Sequence, residues 1–285
     1  MERRPPINDL PLANGRVLRL SERTHVMGIL NVTPDSFSDG GRFFDTEDAL
    51  KQGITMAEDG ADIIDIGGVS TRPGAEPVDA KHEISRVVPV ISALRERLDT
   101  PISVDTTKAD VAAAALDAGA EIVNDVSAGR FDPRMLRLVS ERGVPVVLMH
   151  MLGEPRTMQQ APRYDDVTSE VKAFLEERAR ATQAAGVARE KIIIDPGFGF
   201  GKTREHNLAL LRNLGRFTEL GFPVLAGTSR KTFIGATLDL PIAERLEGTA
   251  ATVALAVAAG AAIVRVHDVG PMRRVASMVE AVLEP

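Results

Sequence analysis

Short apolar, β-favouring runs recur along the chain: "HVMGILN" from His25, "DIIDIGG" from Asp62, "ISVDT" from Ile102, "IVNDVS" from Ile122, "PVVLMH" from Pro145, "IIIDPG" from Ile192, "PVLAGTS" from Pro223 and "AIVRVHDV" from Ala262. Segments rich in Ala, Leu, Glu and Arg at helical spacing lie between them, such as 46–59, 108–118 and 165–185. Strands that are apolar on both faces and alternate with helices predict a parallel sheet covered by helices. Eight such units without a break in composition predict a closed (β/α)8 TIM barrel over residues 25–285, in preference to an open doubly wound sheet. The chain's 285 residues are close to the ~250 typical of that fold. Residues 1–24 read as a leading segment, a small hairpin over the bottom of a single-domain barrel.

Three units repeat in more detail: "DGADIID" at 59–65, "AGAEIVND" at 118–125 and "AGAAIVRV" at 259–266. Each glycine reads as a helix C-cap, where positive φ costs it nothing. Five residues beyond Gly60, Gly119 and Gly260 stand Asp65, Asn124 and Arg265, so equivalent places in three strands hold polar groups. Barrel strands converge at their C-terminal ends, where such folds carry their chemistry.

Composition narrows the classes. An apolar fraction of 44% supports a sizeable core, and the absence of cysteine excludes disulfides and thiolate metal sites. Met1 to Pro6 carries basic residues with no apolar run behind them, which argues against a secretory signal and for the cytoplasm. The longest apolar run, 250–264, is mostly Ala and shorter than the ~20 strongly apolar residues of a bilayer span, so it predicts a buried helix followed by a strand. A net charge of −6 with no basic cluster argues against nucleic acid. Any anionic ligand has to be held by a few placed cations.

The strand ends carry Asn31, Asp65, Asp105, Asn124, Asp125, His150, Asp195, Ser229, Arg230, Lys231, Arg265, His267 and Asp268. Turn forming or helix capping accounts for Asp125 and Asp268. It accounts poorly for Arg265 and Lys231, because cations at strand C-termini face helix N-termini, which prefer anions; a bound anion would remove that conflict. "IDPGFGFGK" at 194–202 resembles a phosphate loop only at its end. Pro196 stands where a P-loop needs a glycine N–H, and the even spacing of Gly197, Gly199 and Gly201 fails the dinucleotide pattern, which leaves a flexible glycine loop of other purpose. Five scattered histidines offer no zinc spacing, whereas Mg2+ needs few protein ligands and could bridge an Asn or Asp to phosphate oxygens. No G-x-S-x-G elbow supports a hydrolase triad. Two long loops, 33–44 and 67–77, leave the active face and read as lids.

Taken in order, "GILNVTPDSFSDGG", "GGVSTRPG", "ISVDT", "VNDV", "LMHM", "DPGFGFGK", "GTSRK" and "RVHD" resemble the dihydropteroate synthases of the folate pathway over residues 25–269. The resemblance implies a usually homodimeric TIM barrel that joins 4-aminobenzoate to a 7,8-dihydropterin-CH2 diphosphate with release of pyrophosphate, and that sulfonamides inhibit. It implies a pterin pocket of Asp105, Asn124, Met149, Asp195, Phe200, Gly227 and Lys231. The diphosphate falls to Asn31, Thr71, Arg72, Arg265 and His267, with Asn31 as the Mg2+ ligand. The aminobenzoate falls to Phe37, Ser70, Thr71, Arg72, Pro73, Phe200, Ser229 and Lys231. Catalysis falls to Asp35, Asp105, Lys231, Arg265 and His267. Val69 departs from the family's usual Glu in "GGESTRPG". Two alternatives share the pterin groups: methyltetrahydrofolate-dependent methyltransferases, which have no diphosphate to hold, and non-catalytic pterin-binding paralogues.

Overall fold

The computed structural model describes residues 8–33, 46–69 and 78–283. The first elements are short: β1 (Leu10–Pro11) pairs antiparallel with β2 (Val17–Leu18). Eight parallel strands follow, namely β3 (His25–Asn31), β4 (Ile63–Gly67), β5 (Ile102–Asp105), β6 (Ile122–Asp125), β7 (Val146–Met149), β8 (Ile192–Asp195), β9 (Leu225–Ala226) and β10 (Ile263–Val266). The helices between and after them are α1 (Thr46–Glu58), α2 (Ala80–Arg95), α3 (Ala109–Asp117), α4 (Met135–Arg142), α5 (Val167–Ala184), α6 (Arg204–Arg212), α7 (Gly215–Thr218), α8 (Thr232–Leu238), α9 (Leu246–Ala258) and α10 (Val269–Leu283).

Strand order runs β8-β7-β6-β5-β4-β3-β10-β9, and a parallel bridge between Ile194 and Val224 brings the ends together, so the sheet forms the predicted barrel. Alternate residues point in and out. The outward set, including Val26, Ile64, Val104, Val123, Val146 and Ile194, packs under the helices. The inward set, including Met27, Ile63, Ile122, Val147, Ile193 and Ile263, fills the barrel floor, where Leu10, Leu12 and Leu20 of the leading segment join it. Arg16 and Arg95 both pair with Glu121 and tie the hairpin to the barrel's underside.

Local signals set the helix ends. Asp166 caps α5, accepting from Thr168 N at 3.0 Å and Ser169 N at 3.2 Å. Thr203 and His206 form a reciprocal capping box on α6. Gly60, Gly119 and Gly260, with φ of 94°, 109° and 90°, end three helices in the left-handed region just before β4, β6 and β10. The repeat read in the sequence is therefore a structural one, and it places Asp65, Asn124 and Arg265 at matching heights inside the barrel.

Candidate functional site

One row of paired residues crosses the mouth of the barrel: Asn31 beside Gly67, Gly67 beside Asp105, and Asp105 beside Asn124. Farther round, Met149 pairs with Asp195. One step deeper, Asp65 is wholly buried and its Oδ2 accepts from Asn124 Nδ2 at 2.9 Å and from Arg265 Nε at 2.6 Å. Arg265 Nη2 donates to Asp105 Oδ2 at 2.7 Å. The three repeat positions thus meet in one network with Asp105 added.

This network adds protein partners for Arg265 beside the bound anion expected to answer its charge. Two carboxyl groups, Asp65 and Asp105, already contact its guanidinium. Burial works against the Arg265 cation, but Asp65 and Asp105 more than offset it and hold its pKa above the ordinary value. Burial pushes the Asp105 carboxyl up to about 7 against the pull of Arg265, with Asp65 adding to the rise. Asp195 is also raised by burial, against Lys231 and the Gly197 N–H. Burial draws Lys231 down to about 8, while Asp195 opposes the fall. Carboxyls raised and an ammonium lowered in one cavity are the pattern of a functional site.

Two parallel ties join the ends of β9 and β10. Ser229 Oγ lies 3.0 Å from His267 Nδ1, and the His267 N–H donates to Ser229 Oγ at 3.2 Å. The Arg230 guanidinium grips Asp268 with two bonds, Nε to Oδ2 at 2.9 Å and a second from Nη2 to Oδ1. Asp268, which stands directly before α10 as the turn or capping reading expected, is an ion-pair partner as well. Arg230 takes φ of 55°, uncommon for a non-glycine, and is held there by Thr249 Oγ1 on its N–H at 3.0 Å and by Arg245 on its carbonyl at 3.1 Å. The kink separates Ser229 from Lys231.

The glycine loop, read as flexible from its sequence, is held by hydrogen bonds along its length. Gly197, Gly199 and Gly201 have φ of 70°, 80° and 64°, and a Cβ on Gly197 would lie 2.0 Å from the His150 carbonyl oxygen. All five carbonyls from Gly197 to Gly201 accept from side chains: Lys202 on Gly197 and Phe200, Lys231 on Phe198, Gln159 on Gly199 and Tyr164 on Gly201. Asp195 Oδ1 takes the Gly197 N–H at 2.7 Å, and Asn207 Oδ1 takes the Gly199 N–H at 2.7 Å. Lys231 Nζ stands 4.4 Å from the Phe200 ring centroid. Val126, Met149, Met151 and Met158 form an apolar wall against which Phe200 packs.

Gly67 and Gly227 leave space. A Cβ on Gly67 would come within 3.8 Å of Asp105 Oδ2 and 3.9 Å of Asn31 Oδ1, so its absence opens a gap edged by two oxygens. A hard, well-hydrated cation that takes one or two protein oxygens fits such an edge. No group of three or more His, Asp or Glu side chains able to hold a metal occurs among the described residues. Behind Gly67, Gly68 lies flat on α2, where a Cβ would meet Val87 Cγ1 at 2.8 Å, and Arg86 Nη1 donates to its carbonyl at 2.8 Å. Half-buried Val69 follows.

The structure brings Asn31, Asp105, Asn124, Met149, Asp195, Phe200, Gly227, Ser229, Lys231, Arg265 and His267 to the C-terminal face of one barrel. Asp35, Phe37, Ser70, Thr71, Arg72 and Pro73 lie outside the described residues, as do residues 34–44 and 70–77 of the two expected lids. The sequence reading noted Asp65 but gave it no role, and it gave none to the buried pair Lys202 and His150. The repeat flagged Asp65; nothing in the sequence indicated that Lys202 turns inward.

A family model described as "Pterin binding enzyme" matches residues 27–267. A dihydropteroate synthase of Synechocystis is 50% identical over 273 residues, covering 95% of this chain and 94% of its own. Among solved structures, a Yersinia pestis dihydropteroate synthase in a sulfonamide drug complex superposes with a TM-score of 0.92 at 44% identity, covering 98% of this chain and 100% of its own. A Xanthomonas albilineans dihydropteroate synthase with 4-aminobenzoic acid gives 0.90 at 47% identity, covering 97% and 99%.

Proposed function

The chain belongs to the pterin-binding enzyme family, and we propose that the cavity at its barrel mouth carries out the dihydropteroate synthase reaction, with the roles given below. The reaction joins the amine of 4-aminobenzoate to the methylene of a 7,8-dihydropterin diphosphate. The methylene C–O bond breaks, its electron pair leaves with pyrophosphate, the C–N bond forms, and the amine loses a proton to water.

The observation that carries the residue assignment is the network in which Asp65 and Asp105 grip Arg265 beside Asn124. Buried acceptors and a fork of donors side by side suit a heterocycle with an amino-pyrimidine edge. Asp195 accepts the pterin's N–H groups, Asn124 reads its ring edge and Lys231 donates to its acceptors. Met149, Gly227 and Phe200 form the walls. Arg265, already oriented, presents remaining N–H groups to the diphosphate, with His267 and Asn31 beside it; a guanidinium fork matches phosphate oxygens. Charge placed where the leaving group develops its own lowers the barrier. Asp105, when ionised, faces the positive charge left on the pterin methylene. An arylamine is uncharged at neutral pH and attacks without a strong base, so Ser229 and Lys231 need only hold its carboxylate end. Thr71 and Arg72 join the diphosphate contacts, Asp35 assists catalysis, and Phe37, Ser70 and Pro73 complete the aminobenzoate site.

Mg2+, held by Asn31 at the Gly67 gap, would neutralise part of the diphosphate charge. We assign the enzyme to the cytoplasm as a homodimer. Exposed Leu255 on α9 and Met278 and Val282 on α10 offer an apolar face to a second copy, and light scattering checks the dimer. Sulfonamides compete with 4-aminobenzoate on this reading.

The test is the coupled product assay: dihydropteroate and pyrophosphate form together only when both substrates are present. Pterin binding without turnover would favour a non-catalytic paralogue.

A further inference from the structure

The lysine that ends the glycine loop has no part in the reaction above. Lys202 is 3% exposed. Its Nζ lies within hydrogen-bond distance of His150 Nδ1 at 2.9 Å, Gly197 O at 2.8 Å, Phe200 O at 3.0 Å and, more loosely, His150 O at 3.4 Å. Burial draws the Lys202 pKa well below its ordinary value, with Asp195 opposing the fall, and the bond to His150 Nδ1 forms with either the lysine amine or the imidazole as donor. The ring stays neutral: burial and the neighbouring Lys202 draw its pKa down to about 2. It is packed edge-on against Phe174, with centroids 4.8 Å apart. Burying an amine is costly unless its donors are met, and here the partners are shared between the loop and His150.

That loop connects three groups of the site. Asp195 receives the Gly197 N–H, the Phe200 ring carries Lys231 above it, and the Phe198 carbonyl takes the Lys231 ammonium. Its three left-handed glycines leave it no strand or helix ladder to lean on.

We propose that Lys202 is a positioning residue for the condensation: by drawing the Gly197 and Phe200 carbonyls onto one amino group it fixes the Phe200 ring, and through that ring Lys231, where 4-aminobenzoate enters. The inference rests on the synthase reading. His150 supplies the fixed third corner of the clamp.

Steady-state pyrophosphate release is measured for both substrates on the wild type, Lys202→Met, Phe200→Leu and the double variant, each normalised to its folded fraction by circular dichroism. Misplacing a positioning group costs about 10- to 100-fold. Lys202→Met is therefore expected to raise the KM for 4-aminobenzoate at least about tenfold, with little change in the KM for the pterin diphosphate. The same change made in the Phe200→Leu background should add little, because residues acting through one another are not additive. An unchanged aminobenzoate KM, or a full-sized effect without the Phe200 ring, overturns the proposal. Should Lys202→Met fail to fold, Lys202→Gln, which keeps part of the donor set, is read the same way. Failure of both to fold would assign Lys202 to barrel stability and also overturn it. A wild-type enzyme that releases no pyrophosphate would instead defeat the synthase reading, and this inference with it.

Discussion

Arg265 Nε stands 2.6 Å from Asp65 Oδ2, at a carboxylate wholly shut off from solvent. The two residues hold the same place in the repeat, on strands separated only by β3. Asp65 thus fixes the guanidinium before any ligand arrives. Breaking one partner of a buried pair typically costs about 3–5 kcal/mol. Asp65→Ala should fall at the lower end, about 3 kcal/mol, since Asp105 still grips Arg265, and its kcat/KM for the pterin diphosphate should drop about 100-fold. Urea denaturation and kinetics on the same preparation check both figures.

The free enzyme should show a narrow bell of kcat/KM against pH. Asp105 must be ionised and titrates at about 7, whereas Lys231 must be charged and titrates at about 8. Activity rises through the first value and falls through the second. Asp105→Asn should remove the acid limb from whatever activity survives; a profile still rising through pH 7 would assign that limb elsewhere.

Stability should move the other way. Folded Asp105 holds its proton more tightly than the ordinary value of 3.8, so its contribution favours the fold in acid and is lost as pH rises from about 4 to about 7. Asp105→Asn should therefore melt above the wild type at pH 8 and level with it near pH 4, despite its lost activity. Thermal melts at the two pH values decide the point.

Two glycines with similar φ should respond very differently to Ala. Gly15, at 84°, has nothing within 4 Å of a Cβ, so Gly15→Ala should cost about 1–2 kcal/mol of backbone strain. Gly197, at 70°, would press its Cβ to 2.0 Å from the His150 carbonyl oxygen, so Gly197→Ala should cost at least about 3 kcal/mol and displace Asp195. Chemical denaturation of the pair separates strain from collision.

At Arg230 strain and function can be parted. Gly takes φ of 55° without penalty, so Arg230→Gly relieves the backbone while removing the grip on Asp268. Stability should change by less than about 1 kcal/mol, while kcat/KM falls about tenfold as Lys231 loses its register with Arg265 and His267. Asp268→Asn should reproduce the kinetic loss alone.

The barrel was legible because each unit repeats an apolar strand and a helix, and several add a C-cap glycine. Gly60, Gly119 and Gly260 marked the start of the strands bearing Asp65, Asn124 and Arg265, and even their convergence followed from equal spacing. The answer to the Arg265 charge was not legible, because Asp65 and Asp105 lie 200 and 160 residues away in sequence and only barrel closure brings them in. Lys202 was hidden for a different reason. A Gly-Lys ending signals phosphate only if the lysine faces out, and that direction is set by the His150 ring and the left-handed glycines, which no linear pattern records.

The most direct measurement is pyrophosphate release from the dihydropterin diphosphate, with and without 4-aminobenzoate and Mg2+, for the wild type and Lys231→Ala. The account predicts release that requires 4-aminobenzoate, is raised by Mg2+ and collapses in the variant. A folded wild type that binds the pterin yet releases no pyrophosphate, or a Lys231→Ala enzyme as active as the wild type, would contradict it.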